Sequence, residues 1–172
     1  MIQNLMAYEE AGYKVVHKGE NFEIRYYEER IVIQTRYESG NSGFRKLFNY
    51  ISGQNQGEKK IEMTTPVTEV QDDNQMVMQF YLPARFNASS APLPADNSLE
   101  IATIDAGYFA VIQYSGFASN KNFYKHAQIL KSSLDRDNIE ISSQPIKATY
   151  DGPFTLPNLR RNEAMYLVLW DN

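Results

Sequence analysis

The chain has no cysteine, and its 172 residues include only two histidines and one tryptophan. Without thiols there can be no disulfide, no zinc–thiolate site and no cysteine nucleophile. The two histidines, His17 and His126, lie far apart, and no His, Asp and Glu residues recur at metal-ligand spacing. Positive charge is also scarce: 17 Lys and Arg stand against 21 Asp and Glu, for a net charge of −4, and no basic run interrupts that background. A nucleic-acid surface needs a positive patch to neutralise phosphates, so nucleic acid is not expected as a partner. Nowhere do about 18 apolar residues run together, and the first residues lack a basic stretch followed by an apolar one. These absences predict a soluble, cytoplasmic protein with no membrane insertion. The common catalytic signatures are missing too: no Gly-x-Ser-x-Gly, Gly-x-Gly-x-x-Gly, phosphate-loop or His-Glu-x-x-His pattern occurs.

What the chain does have is apolar and aromatic material. It is 42% hydrophobic and 13% aromatic, with twelve Tyr, nine Phe and six Met. That is ample for the core of one domain, and the soft Met and ring surfaces suit a large flat ligand.

Periodicity divides the chain into two similar runs. "FEIRYYEERIVIQTRYES" alternates at Phe22, Ile24 and Tyr26, then at Ile31, Ile33, Thr35 and Tyr37, which predicts a hairpin across "EER". Phe44, Leu47, Phe48 and Ile51 follow at helical spacing, with Asn41 or Ser42 as N-cap and Gly53 as the stop. "KIEMTTPV" reads as a strand broken by Pro66, which has no N–H for a ladder. "QMVMQFYLP" reads as the next strand. After the Pro- and Ser-rich connector "PARFNASSAPLPADNS" the order starts again. "LEIATIDAGYFAVIQYSG" is a second hairpin. Phe123, Ala127, Leu130 and Leu134 then share a helix face capped by Ser119 or Asn120, and "IEISSQPIKATYDGP" and "EAMYLVLW" are the last strands. The expectation is one domain over residues 1–172, with a first half of about 20–83, a connector of about 84–98 and a second half of about 99–170. Two ββαββ units of this kind make an α+β fold: an antiparallel, barrel-like sheet with two flanking helices, and a pocket at the seam.

Individual side chains support a binding role more than a catalytic one. Glu62 and Glu23 alternate outward on strands, and His17 beside a glycine turn reads as exposed. His126 flanks the packed stripe of the second helix, where it either satisfies a carbonyl or points into a pocket. Arg45 and Lys46 lie on the polar shoulder of the first helix, suited to ligand carboxylates.

In order along the chain, "EEAGYKVV", "FEIRYYEERIVIQT", "GFRKLFNYISGQN", "KIEMTTPV", "YSGFASN", "ATYDGPFTLP" and "RRNEAMYLVL" resemble the SOUL haem-binding protein family, from about Glu9 to the C-terminus. The resemblance implies a distorted antiparallel β-barrel built from two related halves, each with a helix. It also implies non-covalent binding of haem or another tetrapyrrole, without catalysis, for buffering, transfer or sensing. Fold relatives imply an alternative, a small-molecule effector-binding domain or a hydrolase acting on another hydrophobic or cationic ligand. Carried onto this chain, the family's haem seat falls on Phe44, Arg45, Leu47, Phe48 and Ile51 of the first helix, with Met63 from the neighbouring strand. No histidine lies between His17 and His126, so axial ligation by a histidine of the first half has no counterpart here. Packing and propionate contacts would then hold haem, or His126, a Tyr or a Met would ligate it.

Overall fold

A computed structural model of the chain describes residues 8–38 and 42–171. The strands and helices in chain order are β1 (Glu9–Glu10), β2 (Tyr13–Lys18), β3 (Glu23–Tyr27), β4 (Arg30–Tyr37), α1 (Ser42–Ile51), β5 (Thr64–Thr65), β6 (Val67–Asp72), β7 (Gln75–Tyr81), β8 (Leu99–Ile104), β9 (Gly107–Tyr114), α2 (Asn120–Arg136), β10 (Ile146–Thr149) and β11 (Asn162–Val168). Nine strands form one curled antiparallel half-barrel in the order β2-β3-β9-β11-β10-β6-β7-β4-β8, and β1 and β5 pair in parallel beside it. The fold is α+β, as the sequence implies.

The strand order corrects the expected hairpins. β3 does not pair with β4, and β8 does not pair with β9. β3 lies on β9 and β8 lies on β4, so the first strand of each unit is given to the other unit. The order is palindromic once β2 is set aside: exchanging β3 with β8, β4 with β9, β6 with β10 and β7 with β11 reverses it. Turn chemistry accounts for the crossing. A two-residue link closes a hairpin when its central residues take positive φ, the preference of Gly, Asn and Asp. Glu28-Glu29 and Asp105-Ala106 do not, whereas Asp73 (φ 45°) and Asn74 (φ 67°) do, and β6 and β7 form the true hairpin between them.

Both helices lie on one face of the sheet. Leu47, Tyr50 and Ile51 of α1 are buried with Ile33, Met78 and Phe80, and Phe123, Ala127, Leu130 and Leu134 of α2 are buried with Ala110, Ile112, Ala164 and Tyr166. The helix signals agree with the sequence. Gly53 takes φ +121° just past α1, and the Ser119 hydroxyl accepts from the Asn122 N–H at 3.2 Å. The proposed cap Asn41 lies outside the described residues. Removing an N-cap acceptor costs about 1 kcal/mol, so Ser119→Ala should lower stability by about that much in urea denaturation, with the sheet unchanged.

"KIEMTTPV" is less regular than its alternation suggests. Within this stretch only Thr64–Thr65 form a strand, and the Thr64 hydroxyl turns inward and donates to the Tyr81 carbonyl at 2.5 Å. β2, which the sequence reading did not single out, extends the sheet beyond β3.

Candidate functional site

Two places on this frame could carry function: the outer face of α1 and the sheet face opposite the helices. The α1 stripe is too wide for the core. Leu47 and Ile51 point down and are buried, while Phe44 and Phe48 remain 42% and 48% exposed. Their rings are nearly parallel, at 13° with centroids 6.1 Å apart, and Phe44 also meets Phe80 of β7 edge-on at 5.2 Å. At positions i and i+4 the two parallel rings form one apolar ledge on the helix. Arg45, one residue after Phe44 and three before Phe48, is exposed and pairs with no carboxylate among the described residues. Lys46 is turned away and donates to the Ser98 hydroxyl at 2.9 Å. Met63 is half-buried against the same core cluster that holds Leu47, Ile51 and Phe80.

His126 is not brought to this ledge. It lies on α2, in the other core cluster's neighbourhood, with its ring stacked flat on Tyr114 at 4.0 Å and 3°. Its Nδ1 is 2.8 Å from the carbonyl of Asn122, four positions earlier on the same helix. His17 is half-buried rather than exposed, 4.9 Å from the Trp170 ring. No group of three or more His, Asp or Glu side chains among the described residues could hold a metal ion.

On the opposite sheet face sits a carboxylate that the sequence reading passed over. Glu163 on β11 is fully buried, and both its oxygens accept from the Arg25 guanidinium of β3 at 2.9 Å. Tyr150 donates to it at 2.6 Å and Arg161 at 3.1 and 3.2 Å. The signal was in the strand alternation. Ala164, Tyr166 and Val168 take one face of β11, so Glu163 shares the other with Met165 and Leu167, and Arg25 and Tyr27 occupy the same side of β3. Glu62 and Glu23, which the sequence placed outward, pair at the surface with Arg85 and at the network's edge with Arg25.

This network sets the local ionisation. Burial disfavours the Arg25 charge, but hydrogen bonds and charge from Glu163 outweigh it, and the Arg25 pKa is raised above its ordinary value. Burial pushes the Tyr27 phenol up to about 12, with the Arg25 charge opposing the rise. Burial alone carries Tyr50 and Tyr114 up to about 12. In an unfolded chain these phenols titrate near pH ~10. Their preference for the neutral form thus stabilises the fold fully below pH ~10 and is lost as pH rises from there toward ~12. Absorbance at 295 nm should resolve part of the twelve tyrosines as ionising only with loss of structure. A single step near pH ~10 with the fold intact would contradict the buried environments assigned to them.

A profile described as "SOUL heme-binding protein" matches residues 8–167. The chain belongs to the SOUL family. Among its relatives, "Heme-binding protein 1" of Xenopus laevis is 29% identical over 172 aligned residues, covering 90% of this chain and 89% of that protein. "Heme-binding protein 2" of Homo sapiens is 27% identical, covering 86% and 78%. Of solved structures, the EcmrR C-terminal domain superposes with a TM-score of 0.63 at 16% identity, covering 91% of this chain and 98% of that one, a likeness of fold. No helix among the described residues of this SOUL chain is long and apolar enough to cross a membrane.

Proposed function

We propose that this SOUL protein binds haem non-covalently and without catalysis, seating the macrocycle against Phe44 and Phe48 of α1. The observation that carries this reading is the half-exposed, parallel ring pair itself: adjoining large apolar side chains left open on a surface mark a place where an apolar partner or ligand binds. Arg45 would meet a propionate in a charge-assisted hydrogen bond, Met63 would supply adaptable apolar surface at the margin, and Leu47 and Ile51 would hold the ledge rigid from below. Bound haem supplies iron-centred redox and ligand exchange, and the chain's own part is to hold the macrocycle and cover one face from water. Buffering, transfer and sensing all follow from such a seat.

Ligation by His126 is not part of this reading, because that ring lies on α2, stacked on Tyr114, and not beside the α1 ledge. The seam reading, an effector or hydrolase pocket built on an inward acid, also loses support. Its acid would be Glu163, and Glu163 is already saturated by Arg25, Arg161 and Tyr150. Haemin titration of the purified protein tests the proposal. A saturable Soret change near one equivalent is expected, with the same band position in His126→Ala and His17→Ala. A response no larger than that of an unrelated acidic protein would reject haem, and a displaced Soret band in either variant would assign that histidine as a ligand.

A further inference from the structure

Away from α1, a cleft of about 560 Å³ opens at the corner where β3 turns into β4, between the β1–β2 segment and the chain that leaves β7. That size lies within the usual range for small-ligand pockets. Its walls include Tyr13, Tyr26, Tyr81, Leu82 and Phe86, and one of its polar groups is Arg30. The Arg30 guanidinium lies 4.2 Å from the ring centre of Tyr27, 4.9 Å from Tyr81 and 5.4 Å from Phe109. Aromatic faces hold a cation in place, yet they accept few of its five N–H donors. Among the described residues Arg30 makes no side-chain hydrogen bond and no ion pair, and its buried Nε has no acceptor. The contrast with its neighbours is plain. Arg25 and Arg161 both sit over tyrosine rings and both are satisfied by Glu163.

We infer that this cleft is a second binding site, distinct from the α1 ledge, for a flat aromatic monocarboxylate whose carboxylate meets Arg30. A carboxylate offers paired acceptors to the two terminal nitrogens of the Arg30 guanidinium, which have no protein partner among the described residues, while the buried Nε lies beyond its reach. The ring body would lie against Tyr13, Leu82 and Phe86. The rim decides how much negative charge the ligand can carry. Glu10 is committed to Arg161 at 2.9 Å, and Glu9 to the Ala84 N–H at 2.8 Å, while Glu28 and Glu29 stand exposed at the β3–β4 turn and outnumber the exposed Lys14 that also lines the cleft. Solvent screens these two from the inner end of the cleft, but a second negative charge at the mouth would meet them directly. The site thus selects one anionic group at the inner end and a neutral or cationic outer end.

Three probes with one ring system separate the charges: 2-naphthoate, 2-naphthylmethylammonium and naphthalene-2,6-dicarboxylate. Calorimetry and amide NMR shifts on the intact wild-type chain should show saturable binding of 2-naphthoate, with shifts at Tyr13, Arg30 and Phe86, and binding at least about tenfold weaker for the other two, a factor of ~1.4 kcal/mol. Arg30→Met should lose 2-naphthoate by a similar factor while titrating with haemin as wild type does, which separates this inference from the proposed haem seat. Should Arg30→Met fold poorly, Tyr13→Ala at the exposed rim takes its place and is expected to weaken 2-naphthoate severalfold. Equal or tighter binding of the ammonium probe, shifts confined to α1, or no saturable binding of 2-naphthoate would each overturn the inference.

Discussion

Phe48→Asp is expected to weaken haemin binding by at least about tenfold while leaving the fold intact, because ~1.4 kcal/mol suffices for that factor and a buried lone carboxylate costs more. The two consequences separate because Phe48 is 48% exposed. In the free protein an Asp there stays in water, and surface substitutions of that kind usually change stability by less than about 0.5 kcal/mol. Under a macrocycle the same carboxylate would be stripped of water, would compete with the propionates for Arg45 three positions earlier, and would repel them. Phe44→Asp is the less clean experiment, since the Phe44 ring also packs edge-on against Phe80 and its loss would disturb the core. Soret titrations of wild type and Phe48→Asp, paired with urea denaturation of both, make the comparison. Unchanged haemin affinity in a folded Phe48→Asp would remove α1 as the seat.

Arg25→Met is expected to destabilise the protein by about 3–5 kcal/mol, the usual consequence of taking one partner from a buried ion pair. Arg25 is 2% exposed and Glu163 0%, and the two share a bidentate contact at 2.9 Å across β3 and β11. Those strands belong to different halves of the chain, so the pair joins the units at their seam. Tyr150 and Arg161 would remain on Glu163 and soften the loss, though neither replaces the two-point contact. Arg25→Met with Glu163→Leu should be less destabilised than Arg25→Met alone, because the double substitution leaves no lone charge and fills the space with apolar groups. A loss under about 1 kcal/mol in the single variant would mean that water reaches Glu163 and that the seam is more open than its burial indicates.

A single line of residues was enough to recognise both helices, the break at Pro66, the repeated order of elements and the family. Those features are local: helical spacing, capping hydroxyls, residues that favour positive φ and proline's missing N–H act within a few positions. Leu47 and Phe48 show where such reasoning stops. Both belong to the same apolar stripe, but one is fully buried and the other half-exposed, because the width of sheet beneath α1 decides how much of the stripe is covered.

What the tertiary structure alone decided is pairing. Alternation in "FEIRYY" and "IVIQTRY" specified strands correctly, but any strand can pair with any compatible edge, and the Glu28-Glu29 link could not close the hairpin. The resulting exchange of first strands between halves brought Arg25 to Glu163, 138 positions away, and left Arg30 among three rings without an anion. Periodicity says which way a side chain faces; only the closed sheet says what it faces.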